Sequence, residues 1–343
     1  MKTTLPETMR VLQADAYHSD QIQAVQNLRV VEKPVPVPGK GQLLVQMKSA
    51  ACNPSDLKFL TGTYNIRKSL PTVPGFEGCG VVVASGGGLI GRLRMGKTVV
   101  LAGQNDRDGT WAEYYIAEAK SCLPLNAKIS TDVGAYMLIN PMTAAGLLDR
   151  VRRANSRAFV QTAAASHVGR ILQVLARKSS IPVINIVRRP DQVAGLKKLG
   201  AEYVLDSSDR NFQEELKRLS HELQAKVALD CLSGSMTGNI LSQMPDRSEV
   251  IVYGSLSGEP SSGIQPRDLS YHRKKITGFN LKNWVEERGI LTVMQTFARL
   301  QKLFARGELE TVIQKRIPLQ TAKEGLLEYA KNLGSGKVVI QFE

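Results

Sequence analysis

Arg188 and Arg189 stand side by side where an apolar run, PVINIV, stops. Roughly 20 residues upstream lies a turn of mostly small residues, Ala164-Ala165-Ser166-His167-Val168-Gly169, preceded by the apolar Phe159 and Val160. Small side chains at Ala164 and Ser166 let a backbone approach a pyrophosphate closely. Gly169 lets the following helix pack on a strand, and the free N–H groups at that helix's start would face the anion. An NAD site carries Asp or Glu near the arginine position to hold the ribose 2′-hydroxyl. A guanidinium fork there suits a 2′-phosphate instead, and no acidic residue occurs before Asp191. The residues point to NADPH. A basic pair at a strand end can also simply face solvent, and a turn that keeps one glycine of G-x-G-x-x-G can also be plain packing under a sheet.

This chemistry needs a strand, a helix and a second strand to position it. Val168, Ile171, Leu172 and Leu175 recur at the helical period, and residues 182–187 supply the second strand. Downstream, EYVLD, the amphipathic RNFQEELKRLSHELQ, KVALDCL and SEVIVYGSL continue the alternation, which predicts a doubly wound parallel sheet over residues 136–280. Upstream, LRVVEKPVPVPGKGQLLVQMKSAACN and CGVVVASGGG are β-rich runs broken by Pro and Gly, so residues 1–135 read as a mainly-β module. The tail, 281–343, reads as a helix over 292–305, a strand near 312–317, a helix over 321–332 and a strand over 337–342. It is expected to pack back on the first module and complete it.

At 343 residues and 43% hydrophobic content, the chain has core enough for two domains. No apolar stretch reaches the roughly 18 residues of a membrane span, and MKTTLPETMRVLQ lacks a signal-peptide core, so a soluble, cytoplasmic protein is expected. Cys52, Cys79, Cys122 and Cys231 lie far apart with no C-x-x-C pair, which argues against a disulfide framework and a structural zinc knuckle. A net charge of +14 attracts polyanions. No RNP, KH or zinc-finger pattern is present and the basic residues are dispersed, so a phosphate-rich cofactor or substrate is the more economical partner than nucleic acid.

Further motifs run nearly end to end: Asn53-Pro54-Ser55-Asp56, Gly62-Thr63-Tyr64, LPTVPGFEG over 70–78, GTWAEY over 109–114, NPMTA over 140–144, LDCLSG over 229–234, VYGSLSG over 252–258 and GFNLKNW over 278–284. With AASHVG and the arginine pair, they make the chain resemble the zinc-independent medium-chain dehydrogenase/reductases, in the branch of NADPH quinone reductases and 2-enoyl thioester reductases. The resemblance implies an α/β fold, with a Rossmann-type doubly wound parallel sheet domain and a GroES-like mainly-β catalytic domain. Zinc-using relatives hold the metal with Cys, His and a second Cys or Asp, and carry a four-cysteine lobe. Here the first position is Asn53, the His position is Phe76, the lobe is missing, and Cys52 is one residue off. No metal is expected; hydride passes directly to an activated double bond or a quinone.

The resemblance also assigns residues. Tyr64 matches the catalytic tyrosine of the enoyl thioester reductases, to hydrogen-bond a carbonyl or deliver the proton; as a residue alone it could equally be a rim aromatic. Asn53 joins it in the expected catalytic set. Asn140 and Thr143 would lie on the nicotinamide side, although Asn140 could instead cap the helix starting near Pro141. Ala165, Ser166, His167 and Val168 would form the pyrophosphate turn. Tyr253, Gly254, Ser255 and Leu256, with Phe279, Leu281 and Lys282, would cradle the nicotinamide, and Lys337 would be a late cofactor contact or a solvated charge.

Two positions depart from the family pattern. His167 replaces a usual glycine, as neutral packing or as a phosphate contact. Asn280 stands where enoyl thioester reductases tend to have an aromatic residue. The expected substrate is therefore a quinone, enone or enal first and an enoyl-CoA second. A third reading, a non-catalytic nucleotide- or RNA-binding relative, is opposed by Tyr64, the arginine pair and NPMTA. Relatives pair sheet edges as homodimers, and 275–281 is the expected edge.

Overall fold

The computed structural model describes residues 5–103, 107–331 and 336–342. In chain order its strands are β1 (Thr8–Ala14), β2 (Leu28–Pro34), β3 (Gln42–Cys52), β4 (Glu77–Ser85), β5 (Thr98–Ala102), β6 (Tyr114–Glu118), β7 (Leu123–Pro124), β8 (Ala158–Gln161), β9 (Val183–Val187), β10 (Tyr203–Asp206), β11 (Ala225–Asp230), β12 (Glu249–Val252), β13 (Lys275–Gly278), β14 (Ile313–Pro318) and β15 (Lys337–Gln341). They fall into two compact units, Met1–Ile139 with Gln301–Glu343, and Asn140–Leu300.

The first unit is mainly β. Its larger sheet runs β14-β15-β3-β4-β5-β7, with β6 also on β3, while β1 and β2 form a separate antiparallel pair. β3 is the spine, because Leu43, Leu44, Val45 and Met47 are at most 1% exposed and face the unit's core. The indole of Trp111, fully buried, donates from Nε1 to Ala51 O at 2.9 Å, which satisfies the polar atom such a large side chain carries inside. β15 lies between β14, to which it is parallel, and β3, to which it is antiparallel, pairing Val338 with Cys52. That register delivers Lys337, 284 positions along the chain from Asn53, to the end of β3.

The second unit is a six-stranded sheet in the order β10-β9-β8-β11-β12-β13, every pair parallel. From the adjacent β8 and β11 the chain winds outward in opposite directions, so the sheet has its topological switch point there. β9 is buried at every residue, as a strand with both faces covered should be. Polar residues inside the sheet are paired: Gln161 Nε2 donates to Asn185 Oδ1 at 2.7 Å, and Asn185 Nδ2 to Gln173 Oε1 at 3.0 Å. The network ties β8 and β9 to the helix His167–Arg177 that follows the small-residue turn.

The unit boundaries at 139/140 and 300/301 differ from the 135/136 and 280/281 drawn from the sequence. The boundary at 300/301 falls inside the segment Leu281–Ala305, two helices that meet at Gly289, the second of which matches the helix read over 292–305 while the first has no counterpart in the sequence reading. The first holds Trp284, 4% exposed, which donates from Nε1 to Asp149 Oδ2 at 3.0 Å within the second unit. Gly289, at φ 72 and ψ 161, interrupts the helical geometry between the two and with it the periodicity. No helix among the described residues is long and apolar enough to cross a membrane.

Candidate functional site

Apart from Asn140 and Thr143, the cofactor residues expected in the second unit follow the carboxyl ends of four parallel strands, where open α/β sheets take their ligands. Ala165, Ser166, His167 and Val168 come after β8, the arginine pair after β9, Tyr253 to Leu256 after β12, and Phe279 and Leu281 after β13. Ser166 caps the helix His167–Arg177, its hydroxyl accepting Gly169 N–H at 3.2 Å. Gly169 is required by space, since a Cβ would lie 2.5 Å from Ala164 O. Ala165, Ser166, His167 and Val168 are half-buried, as are Tyr253, Gly254 and Ser255, while Leu256 is 47% exposed.

The arginines differ. Arg189 is held by Asp191, with Nε on Oδ1 at 3.1 Å and Nη2 on Oδ2 at 3.3 Å. The Arg188 side chain is exposed, and its guanidinium makes no ion pair among the described residues.

Sequence reasoning missed Asp230, which ends β11 at the switch point and is fully buried. Its carboxylate accepts from Thr162 Oγ1 at 3.0 Å, Leu232 N–H at 2.9 Å and Thr237 Oγ1 at 2.7 Å, fixing the loop that leads to Gly234. An acid closing an apolar strand, in LDCLSG, was the available signal. Asn280, noted as a departure, accepts Lys282 N–H at 2.9 Å and Asn283 N–H at 3.3 Å at the start of the helix Leu281–Ala305. Asn140 is the second residue of the helix Ile139–Arg153, which begins two residues earlier than a cap at Asn140 would place it; Asn140 and Thr143 are half-buried. The Phe279 ring packs on Gly146 of that helix, where a Cβ would come 2.7 Å from Phe279 Cζ.

In the first unit Asn53, 3% exposed, precedes the helix Pro54–Leu60 and is bonded through both backbone and side chain. Its backbone N–H donates to Asp56 Oδ2 at 2.7 Å, its Nδ2 to Glu77 Oε1 at 2.7 Å, and its Oδ1 accepts Lys337 Nζ at 2.7 Å. Glu77 Oε2 accepts Ile139 N–H at 2.9 Å. Lys337 Nζ lies 5.1 Å from the Tyr136 ring, and Tyr136 Oη bonds to the backbone of Cys52 and Val338. Burial dominates the electrostatics. It pushes the Asp56 carboxyl up to about 7, raises that of Glu77 against the opposing pull of Ile139 N–H, the Asn53 amide and Lys337, and pulls Lys337 down, with Glu77 acting in the opposite direction on the lysine. Lys337, expected at the cofactor, thus has its ammonium on Asn53.

Tyr64 is half-buried, its ring centroid 5.3 Å from that of Phe76. Phe76 in turn meets Phe59 edge-on at 5.5 Å, so Tyr64 is mounted on an aromatic stack next to Glu77. Among the described residues no three His, Cys, Asp or Glu side chains come together as a metal-ligand set.

Residues 39–127 match the family model of the alcohol dehydrogenase GroES-like domain, and residues 168–296 that of the zinc-binding dehydrogenases. A solved Mesorhizobium loti protein, assigned as an NADPH:quinone reductase, is 31% identical, has a TM-score of 0.91, and is covered over 100% of its chain by 99% of this one. Human mitochondrial enoyl-[acyl-carrier-protein] reductase is 28% identical over 302 residues, 86% of this chain and 80% of that protein. A Bacillus thuringiensis protein, also assigned as an NADPH:quinone reductase, shares the fold at 24% identity and a TM-score of 0.87, with 99% of this chain and 100% of that one covered. A GroES-like unit joined to a Rossmann-type unit defines a medium-chain dehydrogenase/reductase, and the chain belongs to that superfamily. Within it the protein is an oxidoreductase of the quinone reductase and enoyl reductase-like branch.

Proposed function

We propose that the protein is an NADPH-dependent reductase that passes hydride to a quinone or to an α,β-unsaturated ketone or aldehyde, without zinc. The observation that carries the cofactor is Arg188, exposed at the end of β9 where an NAD site would hold an acid. The local structure suits such a ligand: Ser166 caps the helix beside the turn, and Gly169 leaves room for close backbone packing. Arg188, Arg189 and the residues Ala165 to Val168 would hold the phosphates. NADPH supplies the hydride when bound. Tyr64 would donate to the substrate carbonyl or quinone oxygen, stabilising the negative charge that hydride addition places there. Zinc-free chemistry is supported by Asn53 and Phe76 at the expected ligand positions, with the Asn53 side chain bonded to Glu77 and Lys337.

The enoyl thioester reading has its own support in the 28% identity to the human mitochondrial enoyl reductase. Asn280 weighs against it, because that position holds an exposed helix cap rather than an aromatic wall. NADPH oxidation against quinones, alkenals and enoyl-CoAs of several chain lengths separates the two. Turnover of quinones or enones, with NADPH preferred over NADH, is expected; turnover of enoyl-CoAs alone would overturn the first reading. The same reading includes a cytoplasmic homodimer paired through β13, which lies at the sheet edge. Light scattering that gave a monomer at micromolar concentration would contradict the dimer.

A further inference from the structure

Lys337, Asn53, Glu77 and Asp56 meet at the end of β3 with one cation among two carboxyl groups. Glu77 receives Asn53 Nδ2–H on Oε1 at 2.7 Å and Ile139 N–H on Oε2 at 2.9 Å, so both of its oxygens face N–H donors. A protonated carboxyl would give up one acceptor site to its own O–H, so two N–H donors favour the carboxylate. Asp56 is different. Its Oδ2 accepts Asn53 N–H at 2.7 Å, and the backbone N–H groups of Phe76 and Asp56 also favour its charged form, but its buried Oδ1 has no donor within hydrogen-bond distance and is open to a proton. Glu77 and Asp56 are at most 1% exposed and Lys337 is the ammonium hydrogen-bonded into the set, Lys68 Nζ lying instead over the Phe59 and Phe76 rings at 5.6 and 5.9 Å, so two carboxylates would leave one buried charge without a bonded cation. The other titratable groups around the set, the Cys52 thiol and the phenols of Tyr136 and Tyr329, are pushed up by burial and stay neutral.

We propose that Lys337 is a positioning residue: acting through Asn53, its ammonium keeps Glu77 ionised for its two N–H partners, and the proton of the set rests on Asp56 Oδ1. The consequence for catalysis rests on the reading of Tyr64 given above. Asn53 and Asp56 begin the helix Pro54–Leu60 that leads to Tyr64, and Glu77 follows Phe76, on which Tyr64 is mounted.

Infrared spectroscopy of the full chain, slightly below neutral pH, tests the protonation pattern. One buried protonated carboxyl should be seen, its band moving with carboxyl-labelled aspartate, unmoved by labelled glutamate, and lost in Asp56→Asn. In Lys337→Met a second band that moves with labelled glutamate should appear, while Lys337→Arg keeps the single band. A wild-type band that follows labelled glutamate would overturn the proposal. So would a Lys337→Met spectrum identical to wild type. If Lys337→Met does not fold, the isotope assignment in wild type and Asp56→Asn still decides. In turnover, Lys337→Met should lose about tenfold or more in kcat with NADPH affinity retained, and Lys337→Arg should recover part of it. Unchanged kcat in Lys337→Met would refute the positioning role even where Tyr64→Phe is impaired. Absence of all NADPH turnover in wild type would instead refute the functional reading, with the infrared result still deciding the protonation pattern.

Discussion

Glu77 Oε2 accepts the backbone N–H of Ile139 at 2.9 Å, across 62 positions of sequence. Because its other oxygen holds the Asn53 amide, a glutamine at this position would have to turn an NH2 group against one of two N–H donors. Glu77→Gln should therefore lower stability by about 1–3 kcal/mol, despite removing a buried charge. A urea midpoint equal to or above wild type, with unchanged slope, would show that the charge costs more than the two bonds return.

Tyr64→Phe keeps the ring on Phe76 and removes the hydroxyl. The expected result is a fall in kcat of about 10²-fold or more with little change in NADPH affinity, since general acid assistance contributes on that order. Steady-state rates together with fluorescence titration of NADPH separate the two effects, and full activity in the variant would reduce Tyr64 to packing.

The two arginines should not be equivalent. Asp191 already engages Arg189 through two hydrogen bonds, whereas Arg188 is uncommitted to any ion pair among the described residues. Replacing both with Ala should cripple use of NADPH and spare NADH. Arg188→Ala alone should cost roughly tenfold in NADPH kcat/KM, and Arg189→Ala less. Equal preference for the two cofactors in wild type would sink the 2′-phosphate assignment.

Asp56 makes stability depend on pH. Burial lifts its carboxyl from 3.8 to about 7, so between those values the unfolded chain is ionised while the folded one still holds the proton. The folded state binds more protons there, and stability falls as pH rises through that window, at about 1.4 kcal/mol per pH unit at its steepest. Below it and above it the contribution is flat. Asp56→Asn should flatten the slope, which thermal unfolding at several pH values would reveal.

Gly169→Ala tests the nucleotide turn. The added methyl would meet Ala164 O at 2.5 Å, so the helix His167–Arg177 must shift or the turn must open. A loss of about 1–3 kcal/mol is expected from overpacking, along with weaker NADPH binding. Wild-type values in both would mean that the turn is loosely packed.

Much of the architecture was legible because periodicity and turn chemistry are local. The strand at 182–187, the helix at 168–175 and the arginine pair needed only neighbours along the chain to be recognised. The helix over 292–305 was legible too, but not the one before Gly289 in Leu281–Ala305, whose Trp284 is fixed by Asp149, 135 positions away. The buried acids were illegible for the same reason. Asp56 was visible within the NPSD motif and Glu77 within PGFEG, but nothing local says that Lys337 comes to lie beside Asn53. Only the register of β15 on β3 says so. Asp230 shows the middle case: its place at a strand end was plain, and its role became clear only when Thr162 and Thr237 were seen to converge on it.

The route by which β15 brings Lys337 to Asn53 also sets an order of events during synthesis. Asn53, Asp56 and Glu77 leave the ribosome long before Lys337, which is 284 positions beyond Asn53. Until that lysine arrives, Asn53 Oδ1 lacks the ammonium that bonds to it, and β3 lacks the strand that pairs with its Cys52 end. A chain truncated before β15 would therefore leave the Ser49–Cys52 end of β3 as an open sheet edge, with no strand on that side to take up its backbone hydrogen bonds.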